Sequence, residues 1–199
     1  NELRASRPQE APAVADDDLD GTIRDSLGGP FCRPAEGTPA DSFGRVRGEW
    51  AVTASNVAKY DGWHGVIVFD EHDPLHFTAE QVSDYVDTAQ NWARRAHEAD
   101  PKARYPFFIW NCLWRSGASI LHGHAQMTVT RGMHYAKVEG WRLAALRYRR
   151  EHQADYFADL VAAHGALGLA VDHGTATILP SRTPFREKET HILAPHLSE

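Results

Sequence analysis

The hydrophobic pattern changes character near residue 43. Upstream, NELRASRPQEAPAVADDDLDG has no period of 2 or 3.6 and is rich in Pro, Ala and Asp, a texture that buries too little apolar surface to order itself. GGPFCRPAEGTP continues it, with Phe31 and Cys32 as the residues able to anchor it. Downstream, short apolar runs bounded by turn residues predict strands in EWAVTAS, GVIVF (65–69), FFIWN (107–111) and HAQMTVTR (124–131), then in TATILP and ETHILAP. Between the second and third of these, Val82, Tyr85, Val86, Ala89, Ala93 and Ala96 make one helical stripe. Thr78 and Gln81 have capping-box spacing at its start, and Pro101 and Pro106 bracket its exit. VEGWRLAALRYRREHQADYFADLVAAHG (138–165) predicts further helix, in one piece or two.

The links SGASILHG and SRTPFREK are too short for helical crossovers, and parallel strands need such crossovers. The expected class is therefore α+β, an antiparallel sheet with helices packed on one side. Residues 1–42 read as a partly disordered N-terminal arm, 43–172 as the main domain and 173–199 as an additional strand segment.

Composition narrows the classes. The 199 residues suit one domain with appendages, and 42% hydrophobic with 24% charged residues suits a globular core. A net charge of −6 gives no basic footprint for nucleic acid. Arg147, Arg149 and Arg150 fall in a helical run and read as a solvated face. Two distant cysteines, Cys32 and Cys112, make no disulfide framework and suit a reducing, cytoplasmic setting. No apolar run approaches the roughly 20 residues that span a bilayer, and no export signal is expected.

The chemistry concentrates in SGASILHGHAQMTVTR (116–131). In a strand, His124, Gln126 and Thr128 point one way and the apolar Ala125, Met127 and Val129 the other. Gly123, lacking a Cβ, admits another backbone or a phosphate. The small residues before it suit an anion-binding turn, with the Ser119 hydroxyl beside it. A histidine aimed at phosphate among neutral donors can attack phosphorus. Two other readings stay open on spacing alone. One is a half-buried polar strand face; the other is a metal site on His122 and His124, for which Gln126 and Thr128 are poor further ligands.

HGHAQ resembles the His-x-His-x-Gln signature of the transferase branch of the histidine triad (HIT) superfamily. That branch includes galactose-1-phosphate uridylyltransferases and diadenosine tetraphosphate phosphorylases. WNCLWRSGASILHGHAQ keeps the branch's Asn and, eight residues on, its Gly-x-Ser at Ser119. KYDGWHGVIVFDEHDPLHFTAEQV resembles its glycine-strand-His-helix segment, so the likeness covers roughly 44–131. GGPFCRPAEG resembles the Cys-Pro-Phe-Cys zinc segment, with Gly29 where the first cysteine stands. ATILPSRTPFREKETHILAP resembles the opening of a second, incomplete HIT-like repeat in 173–199.

The resemblance implies a nucleotidyltransferase or phosphorylase in which His124 attacks the α-phosphorus and carries the nucleoside monophosphate. Ser119, in the loop with Gly117, and Gln126 would bind phosphate oxygens, and Asn111 would brace the loop. His122 would orient His124 through its backbone, or ligate zinc through its ring with Cys32 and His72. No metal is assigned firmly. Asn56 would bind the nucleoside, although the family's following Asp-Phe is Val57-Ala58 here. Superfamily hydrolases carry a histidine at the Gln126 position; an amide cannot act as a general acid, which favours transfer to a phosphate over hydrolysis. The implied partners are a nucleotide or nucleotide sugar and a phosphate-bearing acceptor, with no nucleic acid, no membrane and a homodimer as the expected assembly. The alternative is a non-catalytic nucleotide-binding domain, or a fragment of a larger two-repeat protein. Cys112 and Trp110 read as core or cleft wall, and Arg115 as a phosphate contact or a solvated side chain.

Overall fold

Period-two alternation is realised in a four-stranded sheet. The computed structural model describes residues 18–59 and 62–194, and the chain divides into two compact units, residues 1–135 and 136–199. In the first unit, helix α1 (Leu19–Asp25) and helix α2 (Pro34–Gly37) precede strands β1 (Ala51–Ser55) and β2 (Trp63–Phe69). Helix α3 (Ala79–Ala99) and strands β3 (Ala103–Ile109) and β4 (His124–Arg131) follow. The strand order is β1-β2-β4-β3 and every pairing is antiparallel. Helix α3 packs against one face of this sheet.

Helix α3 begins as its sequence dictates. The Thr78 hydroxyl accepts the Gln81 N–H at 3.3 Å while Gln81 Oε1 accepts the Thr78 N–H at 2.8 Å. The buried stripe differs from the expected one. Tyr85, Thr88, Trp92 and Ala96 are buried, whereas Val86 is 39% exposed. Trp92 sets this rotation. Its ring packs over Gly65, where a Cβ would lie 2.8 Å from the indole, and its Nε1–H donates to the Asp41 carboxylate at 2.7 Å. Ile67, Phe69, Ala125, Met127 and Val129 complete the core beneath it. Strand β3 starts before its apolar run, and Pro106 is tolerated because β3 is an edge strand.

The described part of the N-terminal arm has structure. Asp18 caps α1 by accepting the Gly21 N–H at 2.8 Å, Ile23 is buried, and Pro30–Cys32 forms a 3-10 turn. Single apolar anchors hold this segment, and such anchors leave no period in a sequence. Residues 1–17 of the expected arm lie outside the described residues.

In the second unit, helix α4 (Ala136–His152) and helix α5 (Tyr156–Ala166) precede a three-stranded antiparallel sheet, ordered β5-β6-β7. Its strands are β5 (Val171–Asp172), β6 (Thr177–Pro180) and β7 (Thr190–Leu193). The predicted helical stretch breaks at Gln153, which has φ 54°, and Asp155 caps α5 by accepting the Ala158 N–H at 2.8 Å. The two units meet between Tyr135 and Ala136, upstream of the 172/173 boundary expected from sequence, because α5 packs with α4 and β6. Among the described residues, no helix is long and apolar enough to cross a membrane.

Candidate functional site

The face of the sheet opposite α3 carries the polar residues. Across β2 and β4, His124 opposes Val68, Gln126 opposes Val66, and Thr128 opposes His64. Gly123 seats the two motif histidines. Its N–H donates to the His72 carbonyl at 2.9 Å, and its carbonyl accepts the Phe69 N–H at 3.0 Å. A Cβ at Gly123 would lie 2.9 Å from the Glu71 carbonyl, so the close approach is made by the protein's own backbone.

His124 is 7% exposed, and its Nδ1 lies 2.8 Å from the backbone carbonyl of His122. A carbonyl only accepts, so Nδ1 carries the hydrogen and the lone pair sits on Nε2. Burial pushes the His124 pKa down, partly offset by the bond to the His122 carbonyl. The neutral, nucleophilic ring is therefore favoured. Phe31, from the N-terminal segment, stands edge-on to this ring with centroids 5.2 Å apart.

A second group lies on the other side of Gly123. His122 Nε2 is 2.8 Å from the Phe69 carbonyl, and His72 Nε2 is 3.0 Å from the Ile23 carbonyl. Both rings thus carry hydrogen on Nε2 and turn an Nδ1 lone pair inward. The two Nδ1 atoms face each other at 3.0 Å, and Cys32 Sγ lies 3.5 Å from each. Facing lone pairs repel unless a proton or a cation lies between them. Tetrahedral zinc, with Zn–N of roughly 2.0–2.1 Å and Zn–S of roughly 2.3 Å, separates nitrogen pairs by roughly 3.3 Å and nitrogen–sulfur pairs by roughly 3.5 Å. The donor set fits such an ion, and the two backbone carbonyls fix the ring tautomers as outer-sphere acceptors do. Among the described residues, three donors converge here, and Gly29 offers no fourth.

A third group was not anticipated from sequence. His64 is 1% exposed, and its Nε2 lies 2.9 Å from Gln126 Oε1 and 3.0 Å from Asn56 Nδ2. Counting back by twos from Val68 puts His64 on the face of Val66 and Val68, and the pairing of β2 with β4 makes that the His124 face.

The remaining sequence candidates lie in the segment between β3 and β4. Ser119 is exposed, and neither it nor Asn111 makes a side-chain hydrogen bond among the described residues. Gly117, with φ 96°, closes a 3-10 turn at Trp114–Ser116. Leu113, at φ 61° and ψ 170°, occupies a region that is essentially glycine's, a strain that persists only where the surroundings impose it. Trp110 contacts Phe69 and Phe77 edge-on, as a wall residue does. Burial raises the Cys112 thiol pKa, which keeps it protonated.

No protein-family model matches this sequence, and no curated protein matches it by sequence. Solved structures do. An ADP-glucose phosphorylase from Arabidopsis thaliana, solved with bound ADP-glucose, matches with TM-score 0.53 and 13% identity over 88% of this chain and 57% of its own. A GalT-like protein from the same plant matches with TM-score 0.53 and 13% identity over 75% of this chain and 54% of its own. The chain thus spans just over half the length of each. A HIT family hydrolase from Clostridium thermocellum matches with TM-score 0.39 and 16% identity, over 52% of this chain and 88% of its own. At these identities the likeness is one of fold.

Proposed function

We propose that this chain, which has the HIT-like fold in its GalT-like form, is a nucleotidyltransferase or nucleotide phosphorylase working through a covalent His124 intermediate. The observation that carries the reading is the His124 ring, held by the His122 carbonyl with its Nε2 lone pair available and its neutral form favoured by burial. Nε2 attacks the α-phosphorus of a nucleotide. The P–N bond forms as the P–O bond to the leaving group breaks, and that oxygen departs within a sugar phosphate or nucleotide phosphate. A phosphate oxygen of the acceptor then attacks the same phosphorus, and the P–N bond breaks. Such transfer needs in-line positioning and neutralisation of the phosphoryl oxygens more than a strong base. Gln126 supplies a donor beside the ring. Ser119, Gly117 and Asn111 are proposed to complete the phosphate loop once substrate is bound. The Arabidopsis phosphorylase with this fold holds ADP-glucose, which supports a nucleotide sugar as donor here.

Cys32, His72 and His122 would hold a zinc ion. When bound, it would tie the N-terminal segment to the loop after β2 and fix the His122 carbonyl that orients His124. The test is chemical. The protein is incubated in turn with ADP-glucose, UDP-glucose, ATP and GTP carrying label in the α-phosphate, then denatured. The expected adduct survives alkali, is lost in acid and is absent from His124→Ala. No label from any donor would overturn the proposal.

A further inference from the structure

We propose that Asn56 and His64 lock the Gln126 side chain as a one-way hydrogen-bond donor beside His124, with His64 a positioning residue for phosphoryl transfer. The inference deepens the reading of His124 as the group that accepts the phosphoryl moiety, and its functional part rests on that reading.

The argument starts at a backbone amide. The Ala58 N–H lies 2.8 Å from Asn56 Oδ1. A backbone N–H only donates, so this atom is the amide oxygen and the Asn56 NH2 group points away from it. That NH2 lies 3.3 Å from Gln126 Oε1. An NH2 group also only donates, so the Gln126 atom facing it is oxygen. His64 Nε2 lies 2.9 Å from the same oxygen and must therefore carry a hydrogen. The 3.0 Å contact between Asn56 Nδ2 and His64 Nε2 is then two donors converging on one acceptor. With the Gln126 oxygen placed towards Asn56, as the structure has it, the three contacts are mutually consistent.

The consequence falls on Gln126. Its oxygen is engaged by both donors, so its NH2 is turned away from Asn56 and His64. Turned about, the amide would press NH2 against the Asn56 NH2 and the His64 N–H. Gln126 shares the sheet face with His124, two positions along β4. It therefore offers N–H and no acceptor to whatever the His124 ring engages. A donor-only group suits the non-bridging oxygens of a phosphoryl group. It cannot accept a hydrogen bond from water or from a sugar hydroxyl, so it cannot draw a proton from either as a base would. His64 is suited to setting this rotamer, because it is 1% exposed and held near the start of β2, paired across the sheet with Thr128.

A positioning role separates from a structural one in a double-mutant cycle. The rate of adduct formation is measured for His64→Ala, Gln126→Ala and the double variant. The expected result is a loss of about tenfold for His64→Ala, a loss on the order of 10²–10³ for Gln126→Ala, and no further loss in the double variant. Losses that multiply would overturn the proposal. Because His64 is buried and its truncation could harm folding, Asn56→Asp provides a second arm. It keeps the shape but sets a carboxylate against Gln126 Oε1 and should draw the amide round. At least a tenfold slower adduct is expected, again with no added loss on the Gln126→Ala background. A loss that persists on that background would instead give Asn56 a contact of its own with substrate and overturn the lock. A readout without nucleotide separates the two readings. In 15N-labelled protein the Gln126 side-chain NH2 signals, identified by their absence in Gln126→Ala, should shift in both His64→Ala and Asn56→Asp. Signals unmoved in both variants overturn the lock even if wild type takes label. Signals that move in a protein taking no label keep the lock and remove the transfer reading.

Discussion

The two faces of the four-stranded sheet share every strand and almost nothing else. Under α3 lie Ile67, Phe69, Met127 and Val129, packed on Tyr85 and Trp92. On the other face lie His64, His124, Gln126 and Thr128, interleaved in sequence with that core. A strand turns alternate side chains to opposite faces, so one eight-residue segment, His124–Arg131, serves as core and as candidate site at once. The comparison teaches that packing and chemistry can be perturbed separately here. Substitutions under α3 should change stability and spare the chemistry, and substitutions on the histidine face should do the reverse.

The largest effect is expected under α3. Trp92→Ala removes a fully buried indole and the partner of Asp41, and such truncations cost about 3–5 kcal/mol. Urea unfolding should show this loss, while the adduct rate per folded molecule stays within about twofold of wild type. A much slower adduct in the remaining folded protein would mean that the two faces are not independent.

Zinc should act on the other face alone. An ion held only by the folded state stabilises it by about 4 kcal/mol at a thousandfold excess over Kd. The rise in Tm should vanish in Cys32→Ser and His72→Ala, which remove a donor, and persist in Trp92→Ala. Equal rises in wild type and Cys32→Ser would show that zinc binds elsewhere.

Gly123 is where the faces are joined, since Phe69 from the core side and the His72 carbonyl both bond to its backbone. Gly123→Ala would drive a Cβ to 2.9 Å from both the Glu71 carbonyl and the Phe69 ring, and overpacking of this kind costs about 1–3 kcal/mol. It is the substitution expected to lower stability and adduct formation together. An unchanged adduct rate would show that Gly123 is a packing residue only.

The legibility of this molecule in its sequence follows the same division. Periodic features were readable: the antiparallel sheet, the capping box of α3 and the alternation of β4 all appear where expected. The convergence of Cys32, His72 and His122 followed from likeness to a family and not from spacing, because the residues come from three separate segments. The bond from Asn56 to Gln126 joins residues 70 positions apart and becomes legible only once the strands pair. His64 was passed over, because a lone histidine at the edge of an apolar run carries no signal until the partner strand is known. Trp92 was missed because alanines and valines marked the stripe, and the one large ring that sets the helix's rotation falls off that stripe.

The smallest effect tests whether the α3 face is as free of chemistry as the comparison holds. Tyr85 is 1% exposed, and its hydroxyl has no hydrogen-bond partner among the described residues. Removing an unpaired buried hydroxyl is nearly neutral or stabilising, so Tyr85→Phe should change stability by less than about 0.5 kcal/mol at pH 7 and leave the adduct rate alone. Alkali should magnify the difference. Burial, helped by the nearby Glu71, Asp70 and Asp84 charges, pushes the Tyr85 pKa up from 10.0 to about 12. A folded pKa above the unfolded one means that the contribution is fully present below pH 10 and is lost as pH rises towards 12. Over that interval the unfolded state releases its proton while the folded state retains it. Two pKa units correspond to roughly 2–3 kcal/mol, so wild type should lose about that much more stability than Tyr85→Phe between pH 9 and 12. Parallel pH profiles for the two proteins would show that the hydroxyl reaches solvent or a polar partner, and that this face is not the dry one.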